Sequence, residues 1–235
     1  MELAKGFKVI LLAGAVAMLG AGISHGQEAQ ANPALAGISA AAAPMPKDID
    51  PATGNRLPAP TGDGLNEEDR KIFDALTHGQ QASVRFYSPK LAQSLNEAQS
   101  YLKSETGFGD QLTEIAVLVT TREVNSQFLW TIWERHARDP KDSRHIAPEI
   151  VGIIKNNKPV AGLGEKEALI ITFGRELLGQ QRVSSETFAH AVRLLGRRGT
   201  VDLVELLAQW SATCTELAAF DQQLPEGQKP LLPPR

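Results

Sequence analysis

Residues Leu112–Asp139, LTEIAVLVTTREVNSQFLWTIWERHARD, decide the fold. Leu112, Ile115, Ala116, Val119 and Thr120 recur with a 3.6-residue period, which lays one apolar stripe along an α-helix. The β-branched run Val117–Thr121 would suit a strand, but it lies inside that longer period. Asn125-Ser126 restarts the chain as a further helix carrying Phe128, Trp130, Ile132, Trp133 and His136. Asp139-Pro140 ends it, because the residue before proline is pushed out of the helical region.

The same pattern extends in both directions. Asn66 followed by Glu67, Glu68 and Asp69 is a helix start: a capping side chain, then carboxylates at the positive end of the helix dipole. Ile72, Phe73 and Leu76 give that helix its apolar face. Ser88-Pro89 opens another, with Leu91, Leu95, Ala98 and Leu102 inward and Gly107 and Gly109 as breakers. Downstream, helices are predicted over 146–154, started near Pro148, and over 165–178. A third runs from the cap Ser184 to Leu195, closed by Gly196 and Gly199, and a fourth over 201–220. No alternating pattern bounded by hairpin turns occurs. The fold class read from this is all-α, a compact bundle of about eight helices.

The flanks differ in composition. Lys5 and Lys8 precede an apolar run, Val9–Ile23, and small residues follow at Ser24 and Gly26. That order fits a secretory signal peptide over 1–26, with an uncleaved anchor as the alternative. It implies a periplasmic or secreted protein with no membrane span after cleavage. Residues 27–64 are rich in Ala, Pro, Gly and Asp and are read as a disordered linker. The helical domain is placed at 65–224 and a Pro-rich extended tail at 225–235.

A net charge of −3 over 235 residues gives no nucleic-acid footprint. Cys214 is the single cysteine, so no intrachain disulfide and no CxxC redox pair can form. It sits in an apolar helical stretch, as a buried small hydrophobe would, although a free reactive thiol is the other reading.

Four segments in order resemble the carboxymuconolactone decarboxylase-like family, whose fold is that of alkylhydroperoxidase D. They are Tyr87–Ala92 (YSPKLA), Leu112–Leu118 (LTEIAVL), Asn125–Trp130 (NSQFLW) and Arg182–Phe188 (RVSSETF). The resemblance covers 65–224 and implies a small all-helical, usually oligomeric protein. One branch of the family reduces peroxides with a CxxC pair; the other decarboxylates a lactone by acid–base chemistry without one. Both cysteine positions of the first branch fall near Trp130 and Trp133. In the second branch, the glutamate falls at Leu129 and the histidine at Trp133, so both branches' functional residues are replaced here. His136, one turn further on, is the residue best placed to stand in.

Peroxide reduction through a dithiol needs a second thiol, which the chain lacks. Acid–base catalysis needs a group titrating near neutral pH, and His136 on the stripe with Leu129, Ile132 and Trp133 is the candidate, the alternative being a core or interface histidine. Glu114 and Arg122 on the preceding helix are expected to face the same cleft, the alternative being Glu114 paired with an arginine, and Trp130 and Trp133 to line it, the alternative being core packing. Glu134 is expected on another face, paired with Arg138 four residues on. A metal held by Glu134, His136 and His145 is disfavoured by spacing, because side chains two apart on a helix do not face each other. No cofactor is called for. The expected partners are a small organic acid or lactone and further copies of the chain. The competing reading is a non-catalytic binding or assembly protein on the same fold.

Overall fold

A computed structural model describes residues 46–77 and 83–233; the expected signal peptide and the first part of the expected linker lie outside them. The described residues are all-helical. In chain order the helices are α1 (Glu67–Thr77), α2 (Pro89–Ser104), α3 (Gly109–Glu123), α4 (Gln127–Arg138), α5 (Pro148–Lys155), α6 (Glu165–Gly174) and α7 (Ser185–Ala219). A single 3₁₀ turn, Val84–Tyr87, precedes α2, and α6 runs on into a π-helical turn, Arg175–Gly179.

Several starts follow the capping logic. The Asn66 Oδ1 accepts the Asp69 N–H at 2.9 Å, and the Ser184 Oγ accepts the Thr187 N–H at 3.2 Å. Ser88 precedes Pro89 as expected, but its side chain makes no capping bond. The two helices expected over 184–220 form one element, α7, interrupted only at Gly196, whose φ of 71° and ψ of 174° are non-helical. That backbone is strained for any residue with a Cβ. Gly199, expected to help close the first helix, lies inside the second half instead.

Helix α3 is the axis of the bundle. Helices α2, α4, α5, α6 and α7 all pack on it, and every residue from Thr113 to Thr121 is buried. The one-sided stripe read from the sequence is therefore a helix covered all round. Thr120 and Thr121 tolerate this because Thr120 donates its hydroxyl to the Ala116 carbonyl at 2.8 Å and Thr121 to the Leu118 carbonyl at 3.0 Å. Helix α6 approaches α3 so closely at Gly174 that a Cβ there would collide with Val119 Cγ1.

The linker expectation needs correction from Pro46 onward. Ile49 and Asn55 are buried, and the turn around Asp50–Asn55 is tied to the end of α7. Arg56 N–H donates to the Phe220 carbonyl (2.9 Å), Gln223 N–H to the Gly54 carbonyl (2.7 Å), and Asn55 Nδ2 to Gln222 Oε1 (3.0 Å). Residues 225–233 form neither helix nor strand, and Leu232 is buried in the main core.

Candidate functional site

Three pieces of chain meet around Arg144: the last turns of α4, the 139–146 loop, and the first half of α3. The loop is shaped by its own hydrogen bonds. Asp142 N–H donates to the Asp139 carbonyl at 3.0 Å, and Ile146 N–H to the Ala137 carbonyl at 3.1 Å. Within it, Arg144 Nε donates to Asp142 Oδ1 at 2.8 Å, and the Arg144 backbone N–H reaches the same oxygen at 3.0 Å. These bonds hold the Asp142 carboxyl well below the usual carboxylate range, so it stays anionic. The guanidinium also lies 5.2 Å from the centre of the Trp133 ring, within cation–π range.

His136 Nδ1 lies 3.1 Å from Asp142 Oδ2 and 2.8 Å from an Arg144 Nη2. The two contacts demand opposite tautomers. When Nδ1 carries the proton it donates to Asp142, and Nε2 is left as an acceptor. When Nδ1 is bare it accepts from Arg144, and Nε2 carries the proton. The histidine side chain is 40% exposed, so water reaches it. The imidazole is thus held between a carboxylate that accepts from a protonated Nδ1 and a guanidinium that donates to a bare one.

Glu114 supplies the unusual group. It is 1% exposed, and neither carboxyl oxygen has a hydrogen-bond partner. Burial pushes its pKa up to about 9; Arg144 opposes the rise, while Asp142 and Asp110 add to it. At neutral pH Glu114 is therefore an uncharged acid with an O–H to donate. Trp133 Nε1, Thr113 Oγ1 and His145 Nδ1 are also buried without partners. Such groups are rare in native proteins and costly to leave unmade. One carboxyl held neutral and another held anionic near one guanidinium is the arrangement by which acid–base sites separate their roles.

Of the residues singled out from the sequence, the structure brings together His136, Glu114 and Trp133. Arg122 does not join them. It lies eight residues beyond Glu114 on α3, about 12 Å along the axis, and its Nε donates to the Lys155 carbonyl at 2.8 Å. Trp130 does not line a cleft either: it is wholly buried and donates Nε1–H to Glu134 Oε2 at 2.6 Å. Glu134 pairs with Arg138 as expected, at 2.6 Å, but it is buried rather than on an outer face and also takes Lys155 Nζ at 3.1 Å. Sequence reasoning missed Asp142 and Arg144, because nothing in the pattern of a short polar loop says which way it folds back. Among the described residues no group of three or more His, Cys, Asp or Glu side chains is placed to hold a metal ion, and no helix is long and apolar enough to cross a membrane.

No protein-family model matches this chain, and no curated protein matches it.

Proposed function

We propose that the chain is an exported acid–base lyase or isomerase acting on a small organic acid or lactone, in which Glu114 donates a proton and His136 moves one. The observation that carries this reading is Glu114 itself. A carboxylic acid that is 1% exposed, with both oxygens unpaired and its pKa raised to about 9, is available as a proton donor at neutral pH. Its O–H suits a substrate oxygen that gains negative charge as a bond breaks. Arg144 supplies the nearby positive charge that a carboxylate substrate needs, and water reaches the imidazole of His136.

The test is a screen of small lactones and carboxylates for ring opening or decarboxylation, followed by Glu114→Gln and His136→Ala on any active substrate. Each change should lower turnover by about 10²–10⁴, the usual worth of a positioned acid or base. Full turnover in either variant removes that residue from the mechanism.

One observation favours the second reading, a non-catalytic binding or assembly protein. Trp130 and Trp133 are 0% and 8% exposed and fill the interior instead of lining an open cleft. Self-association belongs to both readings: Leu91 on α2 and Val201 on α7 expose large apolar side chains. Sedimentation at micromolar concentration should show an oligomer, and a strict monomer would count against it. Export predicts a mature N-terminus near Gln27 when the protein is recovered from the periplasm of a bacterial host. Recovery of Met1 there would argue against cleavage.

A further inference from the structure

Residues 225–233 touch the bundle in an uneven way. Pro225, Glu226, Gly227, Lys229 and Pro230 are exposed. The hydrogen bond described within this stretch, from Gln228 N–H to the Pro225 carbonyl at 3.0 Å, stays inside it. The next two residues are held firmly. Leu232 is 3% exposed and joins the main core, with Leu231 packed beside it. The Gln127 side chain reads the Leu232 backbone from both sides: Nε2 donates to the Leu232 carbonyl at 2.8 Å, and Oε1 accepts the Leu232 N–H at 2.8 Å. One turn along α4, Thr131 Oγ1 accepts the Leu231 N–H at 3.1 Å, and Thr131 is completely buried.

This is how a groove recognises an extended peptide. Main-chain donors and acceptors are read by fixed side-chain groups, and one apolar side chain enters the interior. The flanking prolines, Pro230 and Pro233, restrict the free segment towards the extended form, so docking costs little conformational entropy. Between Gln223 and Leu231 the chain acts as a tether. The contact is therefore anchored at Leu231 and Leu232.

We propose that the face of α4 carrying Gln127 and Thr131 is a binding groove for an extended, proline-flanked leucine segment, and that residues 225–233 are its displaceable ligand held in cis. The groove lies on the helix that also carries Trp133 and His136. The inference does not depend on the acid–base reading.

The experiment uses the full chain. In Leu232→Asp the segment cannot bury its anchor, so the groove stands open. A fluorescently labelled peptide of sequence PEGQKPLLPPR (225–235) is titrated into that variant and followed by anisotropy. It should bind, while the wild type, whose own segment competes at an effective concentration of about a millimolar, should bind at least tenfold more weakly. The same peptide with aspartate at the Leu232 position should not bind. Adding Gln127→Ala to Leu232→Asp should abolish binding through loss of the amide clamp. Equal binding to wild type and Leu232→Asp would overturn the proposal, as would no binding to a Leu232→Asp chain with native circular dichroism. A Leu232→Asp chain that fails to fold would overturn it too, by showing that the segment is integral to the core.

Discussion

Replacing Glu114 by glutamine tests the most unusual group in the molecule without reference to any substrate. The ordinary glutamic acid pKa is 4.5, and burial raises that of Glu114 to about 9. Between those values the folded protein keeps a proton that the unfolded chain has released. Folding then takes up a proton, and stability must fall as pH rises. The fall is about 1.4 kcal/mol per pH unit for one group. It begins near pH 4.5, ends near pH 9, and is absent below that window. From pH 5 to pH 8 the wild type should lose about 4 kcal/mol through Glu114 alone. Glu114→Gln has nothing to titrate there, and every other titrating group is common to both proteins. Urea unfolding of the pair at pH 5, 6, 7 and 8 isolates the effect as a difference. The variant should gain steadily on the wild type, overtaking it as pH rises even if the amide packs less well than the acid. At pH 8 the difference from pH 5 should correspond to about 10 °C in Tm. A difference between the two proteins that stays flat from pH 5 to pH 8 would refute the reasoning, because Glu114 would then ionise like an exposed carboxyl.

Three further outcomes follow from the packing. Cys214 is 4% exposed and burial pushes its thiol up to about 11, so native protein at pH 8 should react with a disulfide reagent only at its unfolding rate; fast labelling would show that the thiol is reachable. Gly174→Ala should destabilise by about 1–3 kcal/mol through its collision with Val119, and Val119→Ala in the same chain should recover part of that loss; additive losses in a denaturant series would mean the two do not touch. Glu134→Ala removes the partner of Lys155, Arg138 and the Trp130 indole N–H, so unfolding should cost about 3–5 kcal/mol less than in the wild type; a change under 1 kcal/mol would show that the buried carboxylate is not holding those groups.

The helices were largely legible in the sequence because their signals are local. The Asn66 and Ser184 side chains accept the N–H groups their spacing promised, and Gly196 breaks α7 where a helix-closing glycine was read. What periodicity left open was how the polar residues of these helices are accommodated once buried. Thr120 and Thr121 return their hydroxyls to carbonyls of their own helix and so become buriable, which periodicity does not reveal. Glu114 and Glu134 are both carboxylates on amphipathic helices, yet both are buried, one neutral and unpaired, the other ringed by cations. Which state a carboxylate takes depends on residues brought in from other elements. Arg144 is one of these; it comes from a loop whose course is set by hydrogen bonds from Asp142 and Ile146. The turn at residues 50–56 was misread for a related reason: it is held by hydrogen bonds between Thr53, Gly54 and Arg56 and residues 219–223, distant in sequence.

The enclosure of α3 divides the site into parts with different freedom to change. Glu114 stands on a helix with no solvent-facing side from Thr113 to Thr121, so that any shift of its position must disturb several neighbours at once. Asp142 and Arg144 stand on a loop that only a few hydrogen bonds hold in place. Inherited variation will be tolerated unequally across this divide. Substitutions in 139–146 can alter charge and reach around a fixed acid while the bundle stays intact, whereas substitutions in 113–121 put the whole molecule at risk. Under the proposed acid–base function, new specificities in descendants of this chain should therefore arise from the loop, with the buried acid retained unchanged beneath it.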